Sequence, residues 1–134
     1  MENIHTKYLA FELTPASQAA LLELFDPTFK KKGKIVCDHV TVEFNLTDES
    51  YDRLVEELQG ADLQVIGYQT GVGVDCLVVA VNDSPKRPDG NIYHIILSLA
   101  KGHTAEESND LLKKQGWQTC VPVGFEAELK ALDK

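Results

Sequence analysis

Two histidines stand inside apolar, β-branched runs: His39 in HVTV (39–42) and His94 in HIIL (94–97). A buried strand gains little from an imidazole, but a pair of imidazoles can divide a phosphoryl transfer. One ring takes a proton from the attacking water or hydroxyl and the other gives a proton to the leaving oxygen. Histidine suits both tasks because its reference pKa is about 6.5. Alternation along a strand puts Cys37, His39 and Thr41 on one face, and His94, Ile96 and Ser98 on one face. If both faces meet at one cleft, two imidazoles converge and the Thr41 hydroxyl can hold a phosphate oxygen. The plainer alternative is that each ring is a core histidine satisfied by a local hydrogen-bond partner.

Around this pair the sequence offers further contacts for an anion. KKKGK (30–34) is a basic patch running into the His39 strand, with Lys34 nearest to it. Its alternative is a solvated loop. Lys86 and Arg87 make a weaker patch. His103 stands at the entrance to a helix, where the default reading is a solvated loop histidine and the alternative is a contact with a substrate phosphate, since an anion is favoured at a helix N-terminus. Tyr93, beside His94, and Tyr68 are aromatic candidates for a base or for the core. Trp117 is expected to pack at a sheet edge, and His5 to be inert in the terminal tail. A metal set of Cys37, His39, His94 and His103 lacks a second close ligand pair, so neither metal nor cofactor is expected.

The elements that must position these residues follow from local signals. KYLAFEL (7–13) reads as a strand. Residues 14–25 read as a helix with Thr14 as cap and Pro15 at the first helical position. Residues 26–34 form a loop, and 35–46 one strand. Thr47 and the acidic residues after it open a helix that closes at Gly60. Residues 62–71 and 72–82 make a hairpin near Gly71 and Gly73. A loop over 83–90 precedes a strand over 91–100. A helix follows over 104–116, with Thr104 as cap and Glu107 reciprocating. A final strand region covers 117–129, interrupted at Pro122 and Gly124. This order favours an α+β fold over a doubly wound parallel sheet, and no glycine-rich phosphate loop follows the first strand.

The 134 residues fit a single domain, 1–134, and carry a net charge of -8. Such a surface repels long duplex nucleic acid but admits a small anion at a local basic patch. No apolar run approaches the ~20 residues of a membrane helix. The first fifteen residues lack a secretory pattern, and three scattered cysteines suggest reduced thiols, so a cytoplasmic protein is expected.

The ordered pair of histidine strands resembles the two-histidine (2H) phosphoesterase superfamily, whose signature is two copies of His, apolar, Thr or Ser, apolar. The stretch HIILSLAKGHTAEESNDLL (94–112) is similar to the segment after the second histidine in cyclic-phosphodiesterase domains of fungal-type RNA-repair ligases. KYLAFEL, a helix and DHVTVEF fit as well. The resemblance implies a bilobal fold, two antiparallel sheet lobes with flanking helices around a central cleft. It implies a metal-independent phosphodiesterase in which His39 and His94 are general acid and base and Thr41 binds phosphate. Its substrate would be a small anionic nucleotide or RNA end: a 2′,3′-cyclic phosphate, or a related cyclic nucleotide or oligonucleotide. Ser98, Lys34, Tyr93 and His103 are the expected substrate contacts. One position departs from the signature, because Ile96 stands where Thr or Ser belongs and can donate nothing. That departure motivates an alternative, a weakened module that binds a nucleotide or RNA end without turnover.

Overall fold

The computed structural model describes residues 7–44 and 46–133, which leaves His5 outside the described residues. In chain order the elements are β1 (Lys7–Leu13), α1 (Pro15–Leu24), β2 (Gly33–Ile35), β3 (His39–Glu43), α2 (Asp48–Leu58), β4 (Leu63–Thr70), β5 (Val74–Val81), β6 (His94–Ala100), α3 (Glu107–Gln115), β7 (Gln118–Gly124) and β8 (Ala127–Asp133). The fold is α+β, with every strand pair antiparallel. The strands form one continuous sheet in the order β7-β4-β5-β6-β3-β1-β8, with β2 pairing β6 beyond the end of β3. Two half-sheets, β8-β1-β3 and β6-β5-β4-β7, are stitched by one residue pair, Val40 with Ile95.

Local chemistry places two helices as expected. Thr14 Oγ1 accepts from the Ser17 N–H at 3.2 Å with Pro15 in the first turn. Thr47 Oγ1 does the same for Ser50 at 3.2 Å, and Gly60 closes that segment at φ 74°. The third helix starts later than its sequence suggests. Residues 104–109 first close a tight turn through i→i−3 bonds from Glu107, Ser108 and Asn109, and the helix begins at Glu107. Glu107 still caps Thr104, accepting from its N–H at 2.6 Å.

Three departures from simple strands matter for the site. The expected single strand over 35–46 breaks at Cys37, whose φ of 43° lies in the left-handed region, so β2 and β3 are separate pieces. Cys37 therefore does not share the His39 face by alternation. In β6 the register against β5 slips between Asp75/Ser98 and Cys76/Ile96, so Leu97 is an extra residue. A bulge of this kind turns the residues beyond it to the other face. The final strand region splits into β7 on one sheet edge and β8 on the other. Only two residues join them, so the two edges come within roughly 10 Å at that end.

One core cluster gathers Leu21 of α1 and Leu54 of α2 with Leu9, Phe11, Val40, Val65, Val79 and Ile95 from both half-sheets. A second lies under α3, where Leu111 and Leu112 cover Val74, Cys76, Val78, Ile96 and Leu99. Trp117 joins it beside Gly67, where an added Cβ would meet the indole at 2.4 Å. No helix among the described residues is long and apolar enough to cross a membrane.

Candidate phosphate-binding site

The Val40–Ile95 pair fixes which side chains meet. Both residues point into the first core, so by alternation Thr41 and His39 on β3, and His94 on β6, turn to the opposite face. Two imidazoles and one hydroxyl thus share the sheet face at the joint between the half-sheets. All three side chains are half-buried.

His39 borders a cavity of about 320 Å³ lined by Tyr8, Glu12, Leu13, Gln18, Asp38 and Leu132. The Asp38 carboxylate lies 2.5 Å from His39 Nδ1 and orients the ring. Among the described residues the remaining nitrogen, Nε2, meets only the Tyr8 hydroxyl, at 3.4 Å. Burial, with help from Asp38 and Glu12, pushes the Tyr8 phenol up, so it keeps its proton, and its oxygen can accept from a protonated Nε2. The Tyr8 ring stacks at 4.8 Å from Phe44, which is 44% exposed. Tyr8, Asp38 and Phe44 were not singled out by sequence reasoning. The adjacency of Asp38 to His39 was the one available signal for them.

His94 is held differently. A carbonyl only accepts, so the 2.7 Å contact with Ile92 O places the proton on Nδ1. Nε2 then accepts from the Ser108 hydroxyl at 2.7 Å. Ser108 is fully buried on α3 and also lies 2.6 Å from Ala105 O, a second acceptor for its proton. Burial holds the His94 imidazole below the usual range, with Arg87 and His39 adding like charge and the Ile92 contact opposing.

That depressed pKa makes folding sensitive to acid. Below the reference pKa of about 6.5 the unfolded chain takes up a proton that the folded ring refuses. The contribution is complete above that pH and is lost as pH falls through the window beneath it, by up to about 1.4 kcal/mol per pH unit for one proton. The expected result is that His94→Asn flattens stability between pH 5 and pH 7 relative to wild type, read from urea midpoints at constant slope. An unchanged slope would show that His94 is not the titrating group.

The other expected contacts divide. Ser98 does not reach the site. The Leu97 bulge turns it to the opposite face, where it is fully buried, donates to Asp75 Oδ1 and accepts from the Phe29 N–H at 3.1 Å. Tyr93 is 4% exposed in the first core and is not on the His94 face. Lys34 and His103 line a different and larger cavity, of about 720 Å³, at the far end of β6. Among the described residues, no three His, Cys, Asp or Glu side chains gather as ligands of a metal would. The Cys37 and Cys76 thiols are buried and pushed up to about 11 and about 12, so both are neutral at physiological pH.

Ile96 is explained by packing. It is 7% exposed beneath α3, in contact range of Leu111 and Leu112 rather than of a ligand. Ile96→Thr should therefore cost about 2 kcal/mol through lost apolar volume and a buried hydroxyl. It should bring no gain in any phosphodiesterase rate. A rate increase on a cyclic mononucleotide would instead show that this side chain faces substrate.

Arg87 was read as a weak surface patch but is 5% exposed. Its Nη2 donates to Asp89 at 2.5 Å, while its buried Nε has no partner among the described residues. The guanidinium acts electrostatically on Glu43, Tyr93 and His94, which places its charge near the rim where β3 ends and β6 begins.

Comparison of the chain with protein-family models, curated proteins and solved structures gives no match.

Proposed function

We propose that this chain is a metal-independent phosphodiesterase of the two-histidine type. Its substrate class is a cyclic nucleotide phosphate, either a 2′,3′-cyclic phosphate at an RNA end or a related small cyclic nucleotide or oligonucleotide. The observation that carries this reading is the Val40–Ile95 joint, which turns His39, Thr41 and His94 to one face between two half-sheets. We read those half-sheets as the two lobes of the superfamily fold.

The roles follow from the environments of the two rings. His94 is kept neutral by burial, so its Nε2 lone pair is the proton acceptor for the attacking water. The water oxygen bonds to phosphorus and one P–O bond to the ribose breaks. His39 Nε2, aimed at its cavity by Asp38, gives its proton to the departing ribose oxygen. Thr41 donates to a non-bridging oxygen where charge develops. The product is a phosphomonoester, and the two rings restore their starting states by exchanging protons with solvent. The 320 Å³ cavity is at the small end for a ligand site, and the exposed Tyr8–Phe44 pair gives a nucleobase a stacking surface.

A second reading has its own observation. Ser108 closes on His94 Nε2, so the same face would bind a nucleotide without cleaving it. Incubating the protein with 2′,3′-cyclic AMP in the presence of EDTA separates the two. Conversion to a single adenosine monophosphate isomer supports the phosphodiesterase. Calorimetric binding with intact ligand after long incubation supports the binding module. Activity abolished by EDTA would overturn the metal-independent mechanism.

A further inference from the structure

We propose that the large cavity between β2 and the β6–α3 turn is a subsite for the phosphodiester backbone of a single strand. Given the phosphodiesterase reading, on which this rests, the natural ligand is then an oligonucleotide rather than a mononucleotide. The cavity, about 720 Å³, is lined by Lys31, Lys32, Lys34, Lys101 and His103, over a floor of Leu99 and Ala100. In a chain of net charge -8, four of the thirteen Lys and Arg side chains meet at this one place.

Lys30, next in sequence, is taken by Asp26 at 2.6 Å. Among the described residues, none of the four lining lysines pairs with a carboxylate. His103 is tethered through Nδ1 to Glu107 at 2.9 Å, and its ring lies so close to Gly73 that an added Cβ would meet it at 2.0 Å. The ring is thus fixed, and among the described residues its Nε2 has no hydrogen-bond partner and is left for a ligand. Gly33 is required where β2 meets β6, since an added Cβ would sit 1.9 Å from Leu99 O. That close approach makes one continuous wall of the two strands.

The cavity is also on the correct side. Lys34 pairs with Leu99, and Leu99 pairs with Val74, which lies under α3 in the same cluster as Ile96. Lys34 therefore faces the same side of the sheet as His94. From His94 to Leu99 or Ala100 along β6 is roughly 17–20 Å at ~3.3 Å per residue. A stacked strand rises ~3.4 Å per nucleotide, so about five or six nucleotides connect the two places. A single nucleotide bound at the histidines cannot touch the lysines. A long duplex is disfavoured, because it would bring the acidic remainder of the surface against phosphate.

The test compares fluorescence anisotropy of a labelled ten-nucleotide RNA ending in a 2′,3′-cyclic phosphate with hydrolysis of 2′,3′-cyclic AMP. The variant is Lys31→Ala/Lys32→Ala/Lys101→Ala, three exposed positions. Wild type should bind the RNA with a marked salt dependence. The triple variant should bind it about tenfold or more weakly, with a salt slope shallower by about 2, since each lost contact removes ~0.7 for a single strand. Its kcat/KM on the mononucleotide should match wild type. Equal RNA affinity in wild type and variant would overturn the subsite, and so would tighter binding of the same sequence as a duplex. Lysine-dependent RNA binding by a wild type that never opens the cyclic end would uphold the subsite and overturn the phosphodiesterase reading alone.

Discussion

His39→Ala and His94→Ala should each lower the hydrolysis of 2′,3′-cyclic AMP by about 10²–10⁴-fold, the usual worth of a positioned acid or base. The two losses should not add, because the rings act on one transition state. Their effects on pH should differ. In the proposed mechanism His94 is the acceptor, and burial holds its imidazole below the usual range, so its protonation shapes the acid limb of the wild-type profile. His39 is the donor in that mechanism, so His39→Ala should lower the rate while leaving the acid limb set by His94 in place. Steady-state rates from pH 5 to pH 9 measure both. Variants that keep wild-type kcat would exclude the two-histidine mechanism, whereas loss of activity with unchanged nucleotide affinity would confirm that the rings do chemistry.

Ser108 links this result to the fold. It donates to His94 Nε2 in the neutral state, and Ala105 O stands ready to take its proton when the ring is charged. Protonation of His94 and the hydroxyl rotor of Ser108 are therefore coupled, and His94 must leave Ser108 to meet a substrate. The same contact accounts for the half-buried ring at the start of β6.

The largest stability loss is expected at Asp75. Its carboxyl is 3% exposed and accepts from the Ser98 hydroxyl and, at 2.8 Å, from the Thr28 N–H. Ser98 in turn accepts from the Phe29 N–H at 3.1 Å. The loop after α1 is pinned to the sheet through these two residues, and it carries Lys30, Lys31 and Lys32 into β2. Asp75→Ala leaves buried donors without acceptors, each worth about 1–3 kcal/mol, so a loss of about 3 kcal/mol is expected in urea unfolding. Cleavage by trypsin within 30–34 should rise in parallel. A loss below about 1 kcal/mol would mean that water replaces the carboxylate and the loop is held by other contacts.

How much of this was legible varies with the range of the interaction. Thr14 with Pro15, Thr47 with its acidic first turn, and the Gly71–Gly73 hairpin are specified by residues within a few positions, and they form where the sequence puts them. The alternation of β3 is equally local, so His39 and Thr41 do share a face. Neither bulge was visible. Cys37 enters the left-handed region because β2 and β3 meet β6 in different registers, 33 with 100 but 40 with 95. Leu97 is extruded because β5 and β6 slip by one residue, and Ser98 is thereby carried to the opposite face and away from the candidate site.

The sequence by itself determined the α+β class, most of the elements, and which residue types could handle a phosphate. Only the tertiary structure decided that Val40 meets Ile95 and so brings the two histidines to one face. It alone placed Ser108 on the His94 ring, buried Ile96 under α3, and gathered four lysines around a separate cavity. The physical reason is that caps and turns are satisfied by near neighbours, whereas strand register and side-chain partners across the sheet are fixed by the packing of segments far apart in the chain.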